Sequence, residues 1–147
     1  MRQNLFHLFI SHFDYKGGFL SCHDWRPREF NTLADRVCNS VLDRQSDLYS
    51  LDLQEIATNV AHGAMLQIHS NGGYDGTSGS AAVVPICFFH RDGFWEPCAQ
   101  GYQGFFLKSA HSAFHAELVG ADAAIIMGLD IGQRISAMPR AKRVRFY

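Results

Sequence analysis

The chain carries little charge, and one sign of it is missing from a long central stretch. Of its 147 residues only 18% are Asp, Glu, Lys or Arg, and the formal net charge is −1. No Lys or Arg occurs between Arg44 and Arg91. A chain balanced in this way has no global field to attract nucleic acid or an anionic membrane, so such a partner must be met locally. Cysteine forms no pattern either: Cys22, Cys38, Cys87 and Cys98 include no CxxC pair. This excludes a dense disulfide scaffold of the secreted kind and favours buried free thiols in a reducing compartment. The longest apolar run, Ala81 to Phe89, is far short of the roughly 20 residues that span a bilayer. Leu5 to Ile10 is broken by His7; it is too short for a signal-peptide core and no small-residue cleavage site follows it. The expectation is an intracellular protein, cytoplasmic or nuclear, with no membrane partner. A Gly-Lys-Ser/Thr phosphate loop and a Gly-x-Ser-x-Gly elbow are both absent, which removes the P-loop and hydrolase-elbow readings.

Apolar residues make up 47% of the chain, and twelve of them are Phe, so a globular core is expected. The length suits one domain, or one domain with part of another. After Asp130 come Arg134, Arg140, Lys142, Arg143 and Arg145 with no acid. Such a tail can touch phosphates, although a solvated end is the commoner meaning of the pattern.

Residues 1–30 carry no clear period; Leu5 to Phe13 suits a strand or a short helix. Asn31 or Thr32 caps a helix to about Asp43, with Leu33, Val37 and Val41 on one face. A second helix is expected over roughly 46–62, closed by Gly63. The period then changes. Leu66 to Ile68 reads as a short strand running into a turn-rich stretch, Asn71 to Gly79. Ser80 to Phe89 reads as a central strand, Arg91-Asp-Gly93 as a hairpin turn, and Phe94 to Leu107 as a third strand with a bulge near Gly101 or Gly104. Ser112 to Leu129 is helical, with Phe114, Leu118, Ala121, Ile125 and Leu129 at core spacing. Arg143-Val-Arg-Phe-Tyr147 alternates like a strand. The expected core joins Leu66, Ile68 and Val83 to Phe114, Leu118 and Ile125. The fold class is α/β, with 1–63 a helical N-terminal segment and 64–147 a separate unit.

Three short stretches carry chemistry. Met65-Leu-Gln-Ile-His-Ser-Asn-Gly-Gly-Tyr74 is a strand ending at Asn71. Ser112-Ala-Phe-His-Ala-Glu-Leu-Val-Gly120 opens a helix with one carboxylate, Glu117. Trp25-Arg-Pro-Arg-Glu-Phe-Asn-Thr-Leu-Ala-Asp-Arg-Val-Cys-Asn39 places Asp35 in the first helix. The first two, with the strand order between them, resemble the N-terminal half of a ribonuclease H domain of the reverse-transcriptase and retroelement type. The third is similar to the Arg-x-x-Asn-x-x-Ala-Asp-x-x-Ala-Asn stretch that opens the last helix of that family. Without the resemblance, Asn71 is a turn residue, Glu117 a solvated helix residue, and Asp35 half of a Thr32-x-x-Asp35 capping box.

The resemblance implies a three-strand antiparallel meander, a crossover helix and a parallel fourth strand, here incomplete. It implies metal-dependent hydrolysis of the RNA strand of RNA–DNA hybrids, with Mg²⁺ or Mn²⁺ held by four acids and a nucleic-acid partner. Two such ions stabilise an in-line displacement and need several charged oxygen ligands. Glu117 matches the second acid, Asp35 the fourth, and Asn71 stands where the first acid belongs; the third falls beyond Tyr147. Asn71 and Glu117 are therefore expected to face one another. Hybrid cleavage is expected at or near background, in a truncated, degenerate copy. Since Asp35 precedes the strands, residues 1–63 are expected to be the tail of a preceding ribonuclease H-like domain, lying away from Asn71; a permuted order would instead bring Asp35 to Asn71. A non-catalytic nucleic-acid- or protein-binding module is the alternative function. Asp75 is expected to cap its turn rather than supply a ligand. His111 and His115 have zinc-compatible spacing, but no third ligand pattern accompanies them.

Overall fold

The computed structural model describes residues 2–4, 7–14, 18–25 and 32–139, with side chains from residue 32 onward. The strands are β1 (Arg2–Asn4), β2 (His7–Asp14), β3 (Gly18–Trp25), β4 (Leu48–Leu51), β5 (Leu66–Asp75), β6 (Ser80–Arg91) and β7 (Phe94–Leu107). The helices are α1 (Thr32–Arg44), α2 (Leu53–Ala61) and α3 (Ala113–Ala137). The class is α/β: an open sheet ordered β3-β2-β5-β6-β7-β4, with β1 also paired to β5. All described strand pairs are antiparallel. The expected parallel strand at 143–147 lies outside the described residues.

The β5-β6-β7 meander follows from local chemistry. Asp92 (φ 50°) and Gly93 (φ 85°) form the two-residue connection between β6 and β7, and two positive φ angles suit the twist of a hairpin. The β6–β7 register shifts between Ile86, opposite Tyr102, and Phe88, opposite Pro97. The extra residues end at Gly101, one of the two expected bulge positions. A Cβ there would stand 2.6 Å from Cys98 Cβ and 3.2 Å from the Cys87 carbonyl.

Besides the N-terminal segment, expected to be helical but supplying β1, β2 and β3 to the same sheet as β5, two elements differ from expectation. Residues 46–62 are not one helix, because Leu48–Leu51 pair with Gly101–Gly104 of β7 as an edge strand. Asp47 pins the entry by accepting from Phe106 N at 2.7 Å. Asp52 then caps α2 by accepting from Glu55 N at 3.1 Å. Leu48 and Leu51 fit helical spacing while Leu51 and Leu53 fit strand alternation, so the apolar pattern does not decide and strand pairing does. Gly63 does close α2, with φ 103°. The second difference is β5, which runs through Asn71-Gly72-Gly73 to Asp75 instead of turning at Asn71. Gly72 pairs with Val83 and Gly73 with Ala82, so the two glycines lie inside a paired strand.

Strand alternation sorts the core onto two faces. Ala82, Val84 and Ile86 of β6 pack with Ala34, Val37, Cys38, Val41 and Leu42 of α1. On the other face, Leu66, Ile68, Cys87 and Phe89 pack with Ile56 and Val60 of α2 and with Ala124, Met127, Ile131 and Ile135 of α3. Ala81 and Val83 meet Ala116 there.

The expected α3 core face is corrected. Phe114 is 65% exposed and Leu118 52% exposed, while Leu66, Ile68 and Val83 are buried as expected. The buried line on α3 is Ala116, Gly120, Ala124, Met127, Gly128, Ile131 and Ile135. Small residues face the sheet because the helix lies close to it: a Cβ on Gly120 would stand 2.5 Å from Ser70 Oγ.

Candidate functional site

Asn71 is the one expected site residue in the middle of a strand. It is 2% exposed and pairs with Val84, a residue of the α1 face. Its amide Nδ2 donates to Asp35 Oδ1 at 3.1 Å. A carboxylate only accepts, so this contact fixes which end of the amide turns toward Asp35. The other end, Oδ1, is buried with no hydrogen-bond partner among the described residues.

Asp35 lies in the first turn of α1. Its approach to Asn71 corrects the expectation that residues around it lie elsewhere as the tail of a preceding domain. The two residues are 36 positions apart, yet α1 packs on the meander and delivers Asp35 to β5. This is the outcome expected of a permuted order.

Cys38, one turn after Asp35, completes the cluster. Its Sγ lies 4.0 Å from the Asn71 carbonyl oxygen and 3.9 Å from that of Ala82. Burial pushes its thiol far above the ordinary range, and the Asp35 charge adds to that; a hydrogen bond involving the Gly73 backbone opposes it. Burial and that charge both favour the protonated thiol over the nucleophilic thiolate. Sequence reasoning overlooked Cys38. The signal was available, because Cys38 occupies the small-residue position before Asn39 in the motif containing Asp35.

Glu117 sits on α3, half-buried beside Ala116 and one turn before Gly120. A Cβ at Gly120 would come 3.6 Å from the Asn71 carbonyl oxygen, so α3 passes Asn71 along its backbone. The Asn71 side chain points to the opposite face. The structure therefore brings Asp35 to the Asn71 side chain, while Glu117 belongs to α3, which packs on the other face of the sheet.

The remaining candidates resolve simply. Asp75 accepts from Thr77 N at 3.0 Å, and that bond holds its carboxyl below the usual range; it is a turn cap, as expected. His115 Nδ1 accepts from His111 N at 3.1 Å, and the two rings lie 5.0 Å apart, tilted by 35°. Ser112 caps α3 by accepting from His115 N at 3.1 Å. Both histidines thus organise the start of the helix. No group of three or more His, Cys, Asp or Glu among the described residues is placed to hold a metal ion. At β5 the donors are one carboxylate and one amide oxygen. A pair of divalent ions needs more charge than that, so the described donor set does not fit the two-ion centre that the resemblance implies.

No family model, curated protein or solved structure matches the chain.

Proposed function

We propose that the chain is a ribonuclease H-like module in permuted order, whose hydrolysis of RNA in RNA–DNA hybrids has decayed and which retains at most hybrid binding. One observation carries the reading. Two motifs matched independently, one in α1 and one in β5, meet in space as Asp35 and Asn71. In the family, the acids at the corresponding positions share a metal centre. The meander β5-β6-β7 followed by α3 supports the same order of elements. Loss of activity is supported by chemistry: Asn71 offers only a neutral amide oxygen, its side chain lies on the α1 face of the sheet while Glu117 belongs to α3 on the other face, and its Nδ2 already occupies Asp35 Oδ1 by donating a hydrogen bond. A retroelement origin belongs to the same proposal.

The test is Asn71→Asp, read by thermal melting and by cleavage of a labelled RNA–DNA hybrid. Without divalent ions the substitution places two carboxylates about 3 Å apart at a buried position, and one of them resists ionisation. Stability should fall by about 1–3 kcal/mol at neutral pH. The sign with pH follows: a raised folded-state pKa costs stability as pH rises through the unfolded value, so the loss should shrink in acid. Mg²⁺ or Mn²⁺ should restore part of the melting temperature, with a smaller effect on the parent chain. Hybrid cleavage by the parent should stay near background. Metal-dependent cleavage by the parent, abolished by Glu117→Gln, would overturn the decayed reading. A melting temperature of Asn71→Asp that ignores both pH and metal would overturn the assignment of this spot to the family's acid cluster.

A further inference from the structure

We propose that the cleft between α3 and β7 docks a basic, amphipathic peptide segment of a partner protein. The cleft encloses about 340 Å³, within the size range of formed binding sites. Leu51, Leu53, Phe105, Val119 and Ile126 give it an apolar lining, and Ile126 is 59% exposed. Such a side chain on a surface helix leaves apolar area to be covered.

Charge selects the occupant. Asp47, Asp122 and Asp130 line the cleft, and among the described residues no Lys, Arg or His does. Asp47 is fixed by accepting from Phe106 N and from Tyr49 Oη. Asp130 is fixed by Arg134, 3.0 Å away, which takes part of its charge. Asp122 is exposed. An apolar trough with acids at its edges complements a segment that alternates Lys or Arg with large apolar side chains. It disfavours nucleic acid, because phosphates would meet three carboxylates; the inference is therefore independent of the hybrid-binding reading. It also disfavours self-association, since a two-fold contact through this cleft would set one acid-edged cleft against another.

The experiment uses the full chain and a fluorescent peptide alternating Arg with Phe and Leu, with a Glu-for-Arg peptide as control. Anisotropy should show saturable binding of the basic peptide that weakens with salt, and no binding of the acidic one. Asp122→Lys should weaken binding about two- to fivefold, the worth of an exposed charge contact. Ile126→Lys should weaken it about tenfold or more by removing apolar contact and setting a like charge against the basic segment. Both positions are exposed, and unchanged melting temperatures would show that the fold persists. Equal binding of the two peptides, or indifference to both substitutions, would overturn the proposal. A photo-crosslinking residue at position 126 identifies the occupant. Capture of the basic peptide supports the proposal; crosslinks confined to the same chain or to a second copy, unaffected by added peptide, overturn it.

Discussion

The two faces of the sheet solve the helix-packing problem differently. On one face α1 lies over Ala82, Val84 and Ile86 with branched side chains, Val37 and Val41, in the contact. It also carries a polar bond, Asp35 to Asn71, into the interface. On the other face α3 presents Ala116, Gly120 and Ala124 and carries its large side chains toward its C-terminal half, at Ile131 and Ile135. The first face is built by side-chain interlocking around a polar contact. The second is built by backbone approach at one end and apolar bulk at the other. Residue volume therefore decides which positions can change, and it does so at different places on each face.

The largest expected effect is at the bulky end of the α3 face. Ile131 of α3 is fully buried against α2 and the sheet. Ile131→Ala should cost about 2–5 kcal/mol in chemical denaturation, from lost transfer energy plus the cavity left behind. A cost under about 1 kcal/mol would mean that this end collapses freely, and the contrast between the two faces would lose its basis.

Much of this arrangement was legible in the sequence. Asp92-Gly93 specified the hairpin, Gly63 the end of α2, Gly101 the bulge, and Val37 and Val41 the buried side of α1. Two features were hidden, for definite reasons. The segment 48–51 has apolar spacing compatible with helix or strand, and only the β7 partner, remote in sequence, settles it. Asn71-Gly72-Gly73 reads locally as a turn, because glycine permits turns. It is held straight by pairing with Ala82, Val83 and Val84. The candidate site was half legible: the motif containing Asp35 and the strand containing Asn71 could each be found. Their contact depends on which face of β5 the Asn71 side chain takes, and a strand read as ending at Asn71 gives no face.

A middle-sized effect separates the two close approaches. An added Cβ at Gly104 would stand 2.7 Å from Val41 Cγ2 and 3.2 Å from Val37 Cγ1. Branched side chains on a helix have little χ1 freedom, so Gly104→Ala should destabilise by about 1–3 kcal/mol. At Gly120 the nearest atom is a Ser70 hydroxyl oxygen, which can rotate. Alanine also gains about 1 kcal/mol of helix propensity over glycine. Gly120→Ala should therefore lie near zero, well below Gly104→Ala in the same denaturation series. The reverse order would show that backbone approach, and not interlocked valines, is the less forgiving device.

The smallest effect tests the α3 register itself. Apolar residues occur nearly all around this helix, so the line Phe114, Leu118, Ala121, Ile125 and the line Ala116, Gly120, Ala124 both fit helical spacing. Periodicity cannot choose between two apolar lines; the close approach to Ser70 can, because only the second line is small enough at Gly120. Leu118, 52% exposed, is then a surface residue. Leu118→Gln should change stability by no more than about 0.5 kcal/mol, where the core register would require about 2–5 kcal/mol for comparable truncation. The two expectations differ by more than the scatter of denaturant measurements on a small domain. A loss in the upper range would rotate α3 about its axis, return Phe114 and Leu118 to the core, and move Glu117 with them.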